Sequence, residues 1–403
     1  MLTIVGLITF MDDLDASIVN VALPVINRSL SISMSVAELI VSIYLIVICI
    51  FLLPFGKLGD LIGKVKVFKI GMIIFTVGSL LSGISFNITF LLISRVIQAL
   101  GAAMTMSTNN GIITETFPQQ NRGQALGWVG TFVALGMIAG PGIGGILLEF
   151  LPWQSIFWIN VPIGVILIVL GFVIIPEDNI KLGSHTFWPL IDFKIFKNWD
   201  FTVGLITAIL VFMTNNFYMV LTPFYLENTK SLSASLSGMI MMILPLVQSI
   251  IAPLSGGLTD NNGAWKIAIT GLWIIFIVQL GLVLLNSKSS IYYVGLMIGF
   301  LGLGNAIFQS PNNTMIMSSV DETQLGAAGS INALARNLGM VLGNVTSTWL
   351  LFLIMSHLAK KSITDYTGKY TNYFISGQHL IYILGGILLF IALLLSKFRT
   401  NKK

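Results

Sequence analysis

Long apolar runs separated by short polar stretches fill the chain. Twelve of them approach the roughly 20 residues that a helix needs to cross a bilayer. They fall at 2–26, 37–56, 67–86, 88–113, 124–149 and 155–175, then at 201–226, 235–258, 265–286, 291–317, 325–356 and 378–396. Outer-membrane barrels alternate apolar and polar residues in segments of about ten, and these runs do not alternate. The pattern predicts an all-α polytopic membrane protein with twelve transmembrane helices.

The pattern also repeats. GKLGDLIGKVK at 56–66 returns as GGLTDNNGAWK at 256–266, so that Gly56, Leu58, Asp60, Gly63 and Lys66 recur as Gly256, Leu258, Asp260, Gly263 and Lys266. LGMIAG at 135–140 returns as LGMVLG at 338–343, an offset of 203 against 200 for the first pair. Six runs per half keep the halves in the same orientation, so two parallel six-helix repeats are predicted, an arrangement of transporters. The domains expected are a bundle over 1–175, a cytoplasmic linker over 176–200 and a bundle over 201–403. The linker is too polar to span, and its Phe187, Trp188, Phe193, Phe196 and Trp199 suit a segment lying on the membrane surface.

Composition narrows the function. Of 403 residues, 55% are hydrophobic and 9% charged, where a soluble domain carries about 25% charge. The net charge of +5 does not point to nucleic acid here, because excess lysine and arginine in a membrane protein belongs to cytoplasmic loops. With both termini inside, thirteen lysines and arginines fall in inner loops and tail against six outside. A multi-pass protein of the cell membrane with cytoplasmic termini follows. Cys49 is the single cysteine and lies in an apolar run, and the three histidines are scattered, so no disulfide framework and no metal site are expected. No cofactor is expected either. Gly140, Gly142 and Gly145 match G-x-G-x-x-G with no strand before them, and no phosphate-binding G-x-x-x-x-G-K-[ST] is present.

The polar residues inside the runs carry the chemistry. Asp12, Asp13 and Asp15 lie near the middle of the first run. An ionised carboxylate there costs about 2.5–3.5 kcal/mol, so the three must face protein or water. At 100° per residue Asp13, Ser17, Asn20 and Pro24 share a stripe, Asp12 is adjacent and Asp15 points well away. The fourth run stripes Arg95, Gln98, Ala102, Thr105 and Asn109. A buried arginine keeps its charge, and any of the aspartates could partner it. Gly136, Gly140 and Gly144 form a bare face for close helix packing, beside a Pro141 that removes a backbone donor. In the second half Asn215, Asn216 and Tyr218 interrupt the seventh run, Gln309 and Asn312 stripe the tenth with Asn305, and Asn332 and Arg336 lie in the eleventh. No acid there answers Asp13 or Asp15.

These residues resemble the major facilitator superfamily. Gly56, Asp60, Gly63, Lys64 and Lys66 match its loop between the second and third spans, and Asp260, Gly263 and Lys266 echo it. A finer likeness is to the drug:proton antiporter branch, which usually has fourteen spans. LDASIVNVALP at 14–24 resembles that branch's first-span motif and SRVIQALGAAM at 94–104 its fourth-span motif, which places the motif aspartate on Asp15 and the motif arginine on Arg95. GMIAGPGIGG at 136–145 and WQSIFWINVPIG at 153–164 resemble its fifth-span motif and the start of its sixth. Between Pro176 and Asp200 there is no room for the branch's extra central pair of spans, and Asp12 and Asp13 are additions to the motif.

The resemblance implies a proton-coupled antiporter that exports small amphipathic or cationic compounds, with Asp13, Asp15 and Arg95 as coupling residues. Asp12, Asn20, Gln98, Asn109 and the second-half residues named above would line the substrate cavity. The repeated loops would form a cytoplasmic gate, with Asp60 accepting backbone N–H bonds at a nearby helix N-terminus. Substrate, protons and lipid are the partners expected, and the chain is expected to work as a monomer. A proton-coupled importer of the same fold and a non-transporting sensor are the alternatives. No nucleophile–base–acid constellation points to an enzyme.

Overall fold

In the computed structural model of the protein, the described residues are 1–32, 34–117, 122–176, 193–320, 325–363 and 370–397. Fifteen α-helices are described: α1 Leu2–Leu30, α2 Met34–Ala37, α3 Leu39–Ile62, α4 Lys64–Gly83, α5 Ile88–Thr116, α6 Arg122–Phe150, α7 Ser155–Trp158, α8 Asn160–Ile174, α9 Trp199–Phe224, α10 Ala234–Met241, α11 Ile243–Asn262, α12 Ala264–Val283, α13 Ile291–Ser318, α14 Leu325–Ala359 and α15 Thr371–Lys397. Eleven helical stretches are long and apolar enough to cross a membrane. α1 is the twelfth by length, and its three aspartates set it apart in composition. The all-α polytopic architecture of the sequence therefore holds.

Several boundaries differ from the apolar runs. Residues 56–66 are not a loop: α3 continues to Ile62, α4 starts at Lys64, and Gly63 alone separates them. Hydropathy marks where a chain leaves the bilayer, whereas a helix continues for as long as its backbone bonds are met. Gly63 and Gly263 take φ of 104° and 83°, a region that only glycine enters without strain. The sixth and eighth runs are each broken once, at Ile159 and at Met242. The seventh ends in a π-helical turn at Tyr225–Thr229. Pro54, Pro141, Pro223, Pro253 and Pro311 sit inside helices, which spans tolerate where neighbours meet the freed backbone groups. The surface segment expected at 176–200 lies mostly outside the described residues, which resume with a 3₁₀ turn at Phe193–Lys197.

Packing divides the chain into two units, Met1–Asn198 with Met317–Leu334, and Trp199–Ile316 with Ala335–Lys403. The second expected bundle thus gives up residues 317–334, because the first turns of α14 bury Ala333 and Leu334 against the core of the first unit.

In the first unit α4 and α3 pack on α5, α8 on α4, and α6 on α1. The α1–α6 crossing is close. A side chain at Gly136 would meet Phe10 O at 2.5 Å, and one at Gly140 or Gly144 would run into Ser17 or Ile18. α4 and α5 meet as closely, through Gly71 and Gly101. In the second unit α15 packs on α12 and α9. Gly339 and Gly343 bring α14 onto α9, and Gly271 and Gly304 bring α12 onto α13.

Candidate functional site

The centre of the first unit is a charge pair with no water-exposed edge. Asp15 and Arg95 are both 0% exposed, and Arg95 Nη1 lies 2.6 Å from Asp15 Oδ2. The same nitrogen donates to Gln98 Oε1 at 2.7 Å, which turns the Gln98 amide so that its Nε2 donates to Asp15 Oδ1 at 2.9 Å and to Ser79 Oγ at 2.9 Å. Asn160 Nδ2 gives Asp15 Oδ1 another bond at 2.8 Å. Arg95 Nε reaches Ile40 O at 3.3 Å, and the guanidinium lies 4.1 Å from the Tyr44 ring centroid and 5.6 Å from that of Phe157. Five helices, α1, α3, α4, α5 and α8, thus contribute to one ion pair, with the short helix α7 adding Phe157.

The three aspartates face three ways. Asp15 meets Arg95. Asp12, 5% exposed, accepts from Thr105 Oγ1 at 3.0 Å. Asp13 is half-buried on the α6 side, beside Gly136. The stripe expected from Asp13 does not form one polar surface. Ser17 is buried and donates to Gly136 O at 3.2 Å, whereas Asn20 is exposed and its amide bonds Ala16 O in its own helix at 3.0 Å. Asn109, further along α5, donates to Thr9 Oγ1 at 2.6 Å.

In the second unit Asn215 and Asn305 exchange two amide bonds of 2.8 and 3.0 Å, and Gln309 accepts from Gln248 at 3.2 Å. Asn312 is buried and donates to Gly204 O at 3.1 Å. Asn216 lies beside Gly343, and Tyr218 is 1% exposed in the core. Arg336 is half-buried in α14; Asn332, one turn earlier, is buried and belongs to the first unit.

At the α3–α4 junction Asp60 does not cap a helix N-terminus. It pairs with Lys64 at 3.0 Å, and Lys64 also holds Glu115 at 2.6 Å. An acid at the end of α3 meets the base that opens α4, and that base lies along Gly111 of α5. Gly56 is a close-packing position: a side chain there would run into Ser330, whose hydroxyl donates to Ser107 O at 3.3 Å. Lys66 and Lys266 are exposed, and the side chain of Asp260 lies outside the described residues. Among the described residues no group of His, Cys, Asp and Glu could hold a metal ion.

Asn160, Ser79 and Tyr44 were not marked by sequence reasoning. Each is a single neutral residue far along the chain from Asp15. The one available signal was that WQSIFWINVPIG carries an amide at the start of an apolar run.

A buried ion pair within a six-span bundle repeated once defines a class, the secondary membrane transporters. Residues 5–344 match the Major Facilitator Superfamily, and the chain belongs to it. It is a multi-pass membrane transporter of a small molecule and not an enzyme. It is 32% identical to the riboflavin transporter RibZ of Clostridioides difficile over 449 positions, which cover 100% of this chain and 97% of that protein. It is 27% identical to the multidrug resistance protein Stp of Mycobacterium tuberculosis over 88% of this chain and 77% of the relative. Among solved structures the human organic anion transporter MFSD10 superposes with a TM-score of 0.77 at 15% identity, covering 98% of each chain. A bacterial homolog of the lysosomal transporter Spinster, inward-facing and occupied, gives 0.73 at 16% identity, covering 99% of this chain and 96% of the other. Both share the fold.

Proposed function

We propose that the chain is a proton-coupled antiporter that exports small amphipathic, mainly cationic compounds by alternating access. The observation that carries this reading is the set of three carboxylates at the middle of α1, one of them paired with Arg95. Buried carboxylates cost stability, and in spans they commonly mark ion and proton paths. Binding and release of a proton on opposite sides would bias the equilibrium between inward- and outward-open states. Asn215, Asn216, Tyr218, Gln309, Asn312, Asn332 and Arg336 would bind substrate, and the Asp60–Lys64–Glu115 cluster would stabilise the closed cytoplasmic side. The lysine and arginine distribution supports cytoplasmic termini in the cell membrane, and the protein would act as a monomer.

A second reading is import of a planar, uncharged heteroaromatic compound. The name of the Clostridioides difficile relative, a riboflavin transporter similar over the whole chain, favours this substrate class.

Purified protein in proteoliposomes, with imposed pH gradients of either sign, separates the two. Lipophilic cations, riboflavin and sugars form the panel. Accumulation of cations against a gradient that exchanges them for protons supports export. Riboflavin entering with protons supports the second reading, and transport indifferent to the pH gradient would refute proton coupling.

A further inference from the structure

The α1–α5 seam carries two carboxylates in opposite hydrogen-bonding shells. Asp15 is surrounded by donors only: Arg95 Nη1, Gln98 Nε2 and Asn160 Nδ2. The Gln98 amide cannot turn its oxygen toward Asp15 without losing its bond from Arg95. A proton added to Asp15 would point at N–H groups and leave Arg95 buried without its counter-charge, the costly way to disturb an ion pair.

Asp12 has a different neighbour. Thr105 Oγ1 lies 3.0 Å from Asp12 Oδ2 and 2.9 Å from Ala102 O. A hydroxyl has one hydrogen and two lone pairs. Beside a charged Asp12 it donates to the carboxylate. Beside a protonated Asp12 it turns its hydrogen to Ala102 O and accepts the new O–H. Thr105 can thus serve both protonation states by turning its hydroxyl alone. One turn along the seam the arrangement recurs: Thr9 Oγ1 donates to Val5 O at 2.9 Å and accepts from Asn109 Nδ2 at 2.6 Å. Among the described residues, Asp13 and Asp15 lie on the same helix as Asp12, and Arg95 on α5 and Tyr44 on α3 meet at the Asp15 end of the seam. From α6 the seam meets glycines 136 and 140, and from α8 Asn160.

We propose that Asp12, and not Asp15, is the carboxylate that takes up and releases the coupled proton, with Thr105 as the residue that accommodates both of its states. This assignment rests on the proton coupling proposed above. Val5, Ile112 and Ile113 are buried beyond Thr9 and Asn109, so Asp12 is closed off on that side here and exchanges its proton in another conformation. In this assignment Asp15 keeps its three donors and its pairing with Arg95.

The test uses the full chain in proteoliposomes with a pH gradient of one unit, which is worth about tenfold in accumulation for each coupled proton. Asp12→Asn should lower gradient-driven accumulation about tenfold relative to the parent, and Asp12→Glu should restore coupling. Thr105→Ser should keep the pH midpoint of transport and Thr105→Val should move it. Because Asp15→Asn alone leaves Arg95 uncompensated, the double variant Asp15→Asn with Arg95→Gln, checked for correct folding, tests the rival assignment to Asp15. Full coupling in Asp12→Asn, or loss of coupling only in the double variant, overturns the assignment to Asp12. A parent protein that ignores the gradient overturns proton coupling itself.

Discussion

In the first half of the chain α6 lies on α1 through Gly136 and Gly140, against Phe10 and Ser17. In the second half α14 lies on α9 through Gly339 and Gly343, against Ile209 and Asn216. α4 meets α5 through Gly71 and Gly101, and α12 meets α13 through Gly271 and Gly304. The contacts superimpose the two repeats residue by residue. Phe10 and Ser17 answer to Ile209 and Asn216, so Asp12, Asp13 and Asp15 answer to Val211, Phe212 and Thr214. Gly101 answers to Gly304, so Arg95 and Gln98 answer to Ile298 and Leu301, both buried. The same helix frame is therefore filled with an ion pair in one half and with the uncharged Thr214, Ile298 and Leu301 in the other. Replacing a buried ion pair by well-packed uncharged residues is often neutral or stabilising, and in the second half Ile298 and Leu301 stand for Arg95 and Gln98, while Thr214, bonded to Val211 O of its own helix, stands for Asp15. The second half keeps the frame without charges at these places, so the frame alone does not account for the charges of the first half.

The largest test of this difference is Arg95→Gln. Removing one member of a buried pair costs about 3–5 kcal/mol, and thermal unfolding in detergent should show it as a large drop. Asn305→Ala, which breaks the neutral amide pair of the second half, should cost only about 1–3 kcal/mol. Equal drops would erase the contrast.

The sameness of the frames is tested next. Gly136→Val and Gly339→Val both push a side chain into a backbone carbonyl, and each should cost about 1–3 kcal/mol. A loss confined to one variant would break the correspondence.

Gly63→Ala and Gly263→Ala are the third pair. Both force alanine into a glycine-only region, for about 1–3 kcal/mol. The two should match, as read by unfolding temperature.

The smallest effect is expected at Lys64, where the halves differ again because Ala264 takes its place. Lys64→Ala breaks two partly exposed ion pairs worth about 0.2–1 kcal/mol each, a loss that raised salt should mask in the parent protein. Ala264→Lys should gain less than Lys64→Ala loses, since Asp260 matches only one of the two acids that Lys64 holds.

The helix count and the repeat were legible because both rest on spacing: apolar runs of membrane length, and glycines recurring at 200 and 203 residues. Arg95 was legible as a buried cation that needs an anion. Its partner was not, since Asp12, Asp13 and Asp15 offered equal chemistry and only the rotation of α1 against α5 separates them. Asn160 escaped notice because an uncharged amide at a helix start costs little in water and reveals nothing until the helix is packed. Asp60 misled for a related reason. A charged stretch between apolar runs reads as a loop, yet Lys57 and Asp60 sit on a helix that continues to Ile62.

The single residue between α3 and α4 also bears on how the protein is made. The two helices have 24 and 20 residues, or about 36 and 30 Å at 1.5 Å per residue. With only Gly63 between them, they cannot enter the bilayer as independent segments separated by a polar loop. They are expected to insert as one hairpin, and in the orientation proposed above the lysines at 57, 64 and 66 would mark the end that stays behind. Lengthening that turn would let α3 choose an orientation without α4. Biogenesis, before any substrate is met, is then a reason for the chain to keep a glycine at 63 and again at 263.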